Sequence, residues 1–552
     1  MTPTVSPTRP ARRADAPASA APPPATGLAP YTGPFGADEA GHLLRRTRFG
    51  VSLAEVRAAA QAGLSATLDA LLTQTPTPAP PVNADEPDDP NVPIGQTWVE
   101  APYVDGFDVN PYRSRSMQAW QLDSYLLADH ATISPRMAFF WHNHFAVPRN
   151  GDARIYYTYL RTCWDSGLGN FRELVKAMTL EPQMLRFLNG NVNRADSPNE
   201  NYARELLELF TIGKGPQVGS GDYTTYTEED VRAISRALTG WRTRHFGSRD
   251  AAAQPESYFH ASWHDPGDKQ LSARLGGSVI ADAGEDEYAA VVDLIFAQPL
   301  AAHYLCRKLY RYFVYHEIDA AVERDVIEPM AEALRAADFE VAPVLRLLLA
   351  SEHFFELARA GALVRSPLEH LCDLVRGLGQ EHPPLGTEPG QWLRRRWTWT
   401  LTDQGMRLWQ PPSVAGWPAY YQAPQYHRDW INASTLQIRA KLALSLTGNG
   451  VTHDGVRYEP DLLALVASFD NPHDPNALIA EAVARFLPRP VDQAFTDALK
   501  DALIPGLPDF EWTVEYDEYL ADPDDAAKRE SVDRKVRDML RALFGSAEIH
   551  LA

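Results

Sequence analysis

From Tyr112 to about Leu238, apolar positions recur at intervals of three and four residues with little interruption, the spacing that lines one face of an α-helix. This period predicts helices near residues 112–130, 135–146, 152–164, 168–180, 199–213 and 227–239. Upstream, Asp38 and Glu39 precede a short apolar pattern that ends at Gly50. Ser52-Leu53-Ala54-Glu55 then reads as a capping box, its hydroxyl and carboxylate serving N–H groups that a first helical turn leaves unpaired, and Gly63 can end the helix it opens. A further short helix runs through Leu68, Leu71 and Leu72.

Between Trp241 and Gly277 the helical period breaks into Gly, Pro, Ser and aromatic residues, which predicts a long loop carrying a small hairpin. Helical patterns resume from about Glu287 to Arg376 and again in a terminal region from about Pro460 to His550, with an irregular segment, Trp409 to Trp430, between them. The fold class expected is predominantly α: a large multi-helix globular array with a small irregular β-hairpin insertion and Pro-rich loops.

Length divides this array, since 552 residues exceed what one hydrophobic core usually organises. The expected division is a disordered segment 1–35, a helical hairpin 36–75 and an exposed Pro/Asp-rich linker 76–110. A central helical domain 111–285, a second helical domain 286–446 with the Trp-rich segment, and a C-terminal helical region 447–552 follow.

The net charge of −20 repels phosphate backbones and anionic lipid surfaces, which disfavours nucleic acid as a partner. The basic run Arg394-Arg395-Arg396 beside Trp397 and Trp399 reads as a solvated surface stretch with packed tryptophans. Three cysteines, Cys163, Cys306 and Cys372, lie in apolar contexts and read as packing residues. No stretch reaches the roughly 18 apolar residues of a membrane span. The N-terminal residues lack an apolar leader. A cytoplasmic location is therefore the default expectation, with export left open.

Three segments are chemically dense. His142 and His144 stand in the apolar run Phe139 to Phe145 and could ligate a metal if the last helical turn frays before Pro148. On a regular helix the two rings point about 200° apart and cannot meet one ion. The second segment opens a helix with Ser197 as N-cap, Pro198 at the first position and Glu200 as the capping carboxylate. It places Glu200, Asn201, Arg204, Glu205, Glu208 and Thr211 on one polar arc. Under solvent, Glu200–Arg204 and Arg204–Glu208 would be ordinary ion pairs; under another protein layer the carboxylates would call for a cation. In the third segment, Asp265-Pro266-Gly267 implies a turn that holds His264, Asp265 and Lys269 together.

These segments, in this order, resemble the bacterial family known as domain of unknown function 1800. The resemblance is carried by His42-Leu43-Leu44-Arg45-Arg46 with Phe49-Gly50, by Phe140-Trp141-His142-Asn143-His144-Phe145, and by Gly169-Asn170-Phe171-Arg172-Glu173-Leu174. It continues through the Pro198 to Phe210 helix with Thr211-Ile212-Gly213, Tyr226 to Val231, Arg236 to Trp241, His264 to Lys269 and Pro411 to Pro418, covering the chain from about Gly36 onward. What it implies is a helical architecture; the family has no settled activity and supplies no catalytic residue to carry over. Its members are often exported and accompanied by a sulfatase-like protein, which the resemblance suggests as a partner class.

The functional expectation is a metal-assisted enzyme of the hydrolase type. Its metal, a divalent ion of unspecified identity, is expected on His142, His144 and His264. The catalytic group expected is Glu200, Arg204, Glu205 and Asp265, acting on a small polar or anionic substrate. The competing reading is a non-catalytic assembly or binding protein that uses the polar helix faces and the Trp-rich segment. A third is carbohydrate recognition by Tyr420, Tyr421 and Tyr426 near Trp417.

Overall fold

The computed structural model describes residues 27–84, 89–127, 131–356, 360–448 and 450–552. The three- and four-residue apolar spacing becomes helices close to the predicted bounds: Asn110–Leu126, Ser134–His144, Ala153–Asp165, Phe171–Leu180 and Glu228–Ala237. The capping box forms as read, with the Glu55 N–H donating to Ser52 Oγ and the Ser52 N–H to the Glu55 carboxylate, and Gly63 ends that helix at φ +83°. β-structure is confined to two-stranded antiparallel pairs, so the chain is predominantly α. One pair is the expected hairpin, Trp241–Arg244 against Glu256–Phe259.

Ser134–His144 is buried along its whole length and packs on Ala153–Asp165. A helix apolar or buried all round belongs at a core centre, and every polar group it carries must find a partner inside the protein. Buried apolar residues from Ala40 to Ile549 join in one contiguous cluster, and the boundaries placed at 285 and 446 run through it.

Four expectations are corrected. Residues 27–35 are ordered, with the Tyr31 N–H on the Ala350 carbonyl and the Tyr31 ring on Phe355; residues 1–26 lie outside the described residues. The segment read as an exposed linker is exposed along much of its length but anchored in the core at several points: Trp98 is fully buried with its indole N–H on Ser116 Oγ, and Asp89 pairs with buried Arg113. The interleaved apolar residues, Val92 and Trp98 among the prolines, supply the core contacts that turn composition alone conceals. Arg394, read as part of a solvated face, is buried on Asp123, while Trp399 is the exposed tryptophan of that run.

The fourth correction concerns the helix that carries Glu205. It begins at Asn201 instead of Pro198; Glu200 is its N-cap but its side chain caps no N–H group, and Asn199 Oδ1 accepts the Asn201 N–H instead. Past Glu205 the backbone widens to a π-helix, Leu206–Thr211, in which the Ile212 and Gly213 N–H groups both reach the Leu207 carbonyl. The three cysteines are free and buried, as expected. Among the described residues, no single helix is long and apolar enough to cross a membrane.

Candidate functional site

One glycine-dependent turn, an Asp-Pro-Gly turn and one short ladder build a dense polar cluster. Gly240, at φ +94°, lets the His264 segment approach closely; a Cβ there would sit 3.2 Å from His264 Cβ and 2.9 Å from the Phe259 ring. After the Asp265-Pro266-Gly267 turn, Lys269–Gln270 pairs with Val279–Ile280, which aims Lys269 inward and leaves Asp282 two residues beyond the ladder. Glu287 opens the helix Glu287–Phe296, where the exposed N–H groups of the first turn favour a carboxylate.

Lys269 and Glu287 are both 0% exposed and pair at 2.6 Å, Nζ on Oε2. The other carboxylate oxygen, Oε1, lies 2.9 Å from His264 Nε2 and accepts the Ala283 N–H at 3.2 Å. His264 Nδ1 meets the Thr239 carbonyl at 2.9 Å, which assigns the proton on that nitrogen, and Asp282 Oδ1 stands 3.9 Å from Nε2. His264 Nε2, Glu287 and Asp282 can each offer a ligand atom to one ion. A histidine that ligates metal through one nitrogen typically donates the other to a carbonyl, as here. Lys269 neutralises the far oxygen of Glu287 without occupying the near one.

Asp265 turns away from this group. Its carboxylate takes a bidentate fork from Arg236 at 2.6 and 3.1 Å and caps Gly267, while its carbonyl receives Lys269 Nζ at 2.5 Å. The Arg236 bond holds the Asp265 carboxyl below its ordinary value, with the turn amide adding to the effect.

Glu200 and Arg204 form a second group. Arg204 forks onto Glu228 at 2.7 Å through both terminal nitrogens and touches Glu200 at 3.1 Å. The Glu228 bond raises the Arg204 guanidinium and lowers the Glu228 carboxyl. The expected Arg204–Glu208 pair is absent among the described residues, because the π-turn rotates Glu208 away, toward Lys214 at 3.1 Å and the Tyr226 hydroxyl at 3.0 Å. Half-buried Glu205 is pushed up, chiefly by burial and then by Glu208. Glu228 and Arg236 sit on one helix, eight residues and roughly 12 Å apart. The Arg204 group and the Asp265 group therefore occupy opposite ends of a ten-residue helix and do not share a pocket.

His142 and His144 point to opposite sides of a regular helix, as the 100° step requires. His142 is held by the Tyr159 hydroxyl at 2.9 Å and the Leu408 carbonyl at 2.7 Å. His144 Nε2 meets the Phe210 carbonyl at 3.0 Å, and its Nδ1 accepts from Lys308 Nζ at 3.0 Å. The helix end explains the second arrangement: the Leu209 and Phe210 carbonyls lie in the last turn before Ile212, where acceptors lack intrahelical donors, and Tyr304, Lys308 and His144 satisfy them. Burial lowers His142 to about 4, lowers His144 well below the ordinary value, and lowers Lys308 to about 7. Both imidazoles are thus spoken for inside the core, and the structure brings neither to His264.

The sequence pattern described as Protein of unknown function (DUF1800) matches residues 42–514. The chain belongs to the DUF1800 family. No curated protein and no solved structure matches it. The DUF1800 match takes in every residue named above, from His142 to Glu287. Sequence reasoning named His264 and Lys269 but missed Asp282 and Glu287, whose only signal was an acidic residue at the start of an apolar helix.

Proposed function

We propose that this DUF1800 protein is a metal-assisted enzyme of the hydrolase type whose metal centre is His264, Asp282 and Glu287. The observation that carries the reading is His264 Nε2, 2.9 Å from Glu287 and 3.9 Å from Asp282, on a ring fixed from behind by the Thr239 carbonyl. One nitrogen and two carboxylate ligands suit Zn²⁺ or Mn²⁺ and leave coordination positions open, the arrangement of catalytic rather than structural sites. A metal so held would polarise a substrate oxygen and lower the pKa of a bound water. The chain's own contribution is to orient His264, to neutralise Glu287 through Lys269, and to offer Arg236, about a third exposed, to an anionic group.

Elemental analysis of the purified protein, with Zn²⁺ and Mn²⁺ titrations read by melting temperature, tests this reading. Expected are one equivalent of metal per chain and a melting-temperature increase that Glu287→Gln and His264→Ala abolish. A wild-type protein that neither contains nor is stabilised by either ion would sink it.

A second reading, a non-catalytic assembly protein, is favoured by the helix Asp509–Ala521. Phe510 and Val514, four residues apart on one face, are 60% and 50% exposed. The sulfatase-like partner class suggested by the family resemblance belongs to this reading. Strictly monomeric behaviour, unaltered by Phe510→Asp, together with no sulfatase-like protein co-purifying, would count against it.

A further inference from the structure

We infer that the cleft between the helices Leu53–Ala62, Pro367–Gly377, Leu462–Ala467 and Pro475–Phe486 binds a small molecule bearing a phosphate, sulfate or carboxylate group, held by Arg485. The cleft has a volume of about 600 Å³, within the range of small-molecule sites. Arg485 lines it and is 8% exposed, yet its guanidinium has no ion pair within 4 Å and no hydrogen bond among the described residues. It lies over the ring of Phe486, 5.4 Å from the centroid, and beside Gly377.

Nearby carboxylates reach it only from a distance and are paired elsewhere. Asp373, whose field Arg485 feels most, is engaged by Arg365 at 3.0 Å, and Glu55 by Arg48, while Arg45 and Arg376 oppose it with like charge. Burial and these cations depress the Arg485 guanidinium to about 10. A buried, uncompensated cation is costly, and an anion entering the cleft relieves that cost.

The same wall is built for an anion. Arg376 also lines the cleft, one terminal nitrogen anchored on the Phe49 and Gly50 carbonyls and the other 3.6 Å from Glu55. Leu53 and Ala54 bring to the cleft the first turn of a ten-residue helix, whose amides favour negative charge. The facing carboxylates are already engaged: Glu459 by Arg457 and Arg537, and Asp461 by the Ala464 N–H and Arg529. Glu381, at the margin, is left to accept a hydroxyl or amine of the same ligand. This site shares no residue with His264, Asp282 and Glu287, so either proposal can fail alone.

The test is calorimetric titration of the full chain with inorganic phosphate, sulfate and acetate, against sodium chloride at matched ionic strength. Saturable binding of phosphate or sulfate identifies a tetrahedral anion, and binding of acetate alone identifies a carboxylate. Arg485→Met is expected to weaken the binding anion at least tenfold, while leaving the ligand-free protein at least as heat-stable as wild type. Arg485→Lys keeps the charge but loses the planar fork, and is expected to weaken phosphate severalfold. The assignment is overturned if none of the three anions binds wild type beyond chloride, or if whichever variant folds binds with wild-type affinity.

Discussion

Acidification between pH 6.5 and 4 should destabilise this fold through His142, by an amount a single substitution can isolate. The ring is fully buried; the Leu408 carbonyl assigns the proton to Nε2, and the Tyr159 hydroxyl donates to Nδ1. Burial depresses its folded value from 6.5 to about 4, with the carbonyl bond acting in the opposite direction. In that window the unfolded chain takes up a proton that the folded chain refuses. Stability is therefore complete above pH 6.5 and is lost as the pH falls toward 4, at up to about 1.4 kcal/mol per pH unit and about 3 kcal/mol in all. His142→Gln removes this dependence. His42, His427, His382 and His550, also depressed by burial, titrate alike in both proteins and cancel in the difference. Urea unfolding of wild type and His142→Gln at pH 7.5, 6.5, 5.5 and 4.5 measures it. The stability gap should hold above pH 6.5 and narrow by about 1.4 kcal/mol per unit below it. A gap that stays constant across all four values refutes the reasoning, because His142 would then titrate as freely folded as unfolded.

Lys269→Met strands the Glu287 carboxylate in the interior and should cost about 3–5 kcal/mol in urea unfolding, much of which the double change Lys269→Met/Glu287→Leu should restore. Glu200→Ala removes an ion pair whose acid is 38% exposed, so calorimetric melting should register no more than about 0.5 kcal/mol. Gly416→Ala should cost more than about 2 kcal/mol by the same measurement, since at φ +86° its Cβ would stand 2.5 Å from the Asn143 carbonyl oxygen.

Where sequence could be trusted follows from how far apart the deciding atoms lie along the chain. The Ser52–Glu55 box and the helices of residues 110–180 depend on neighbours three or four positions away, and their bounds emerge within a few residues. The opposed rings of His142 and His144 follow equally from the helical step. The start at Asn201 instead of Pro198 and the π-turn beyond Glu205 do not. The first is settled by Asn199, whose N–H is held by the Asn193 side chain; the second ends in carbonyls met by donors on Tyr304 and Lys308, ninety-five and ninety-nine residues beyond Leu209. Glu287 was invisible for the same reason, since its partners lie 18 and 23 residues back and an acid at a helix start is ordinary. Arg485 left a fainter trace, a lone cation among the apolar residues of Val483 to Phe486, but only the packed structure shows that no described residue forms an ion pair with it.

The widened turn at Leu206–Thr211 also bears on the order in which the chain acquires its shape. Carbonyls 209 and 210 are answered by groups from Ser134–His144 and from Pro299–Phe313, a segment synthesised some ninety-five residues later. Until that later helix docks, the Leu209 carbonyl lacks those two donors and is left to water. The end of this helix is thus closed off late, and a nascent chain ending before Pro299 should carry its last turn solvated and less protected from amide exchange than in the finished protein.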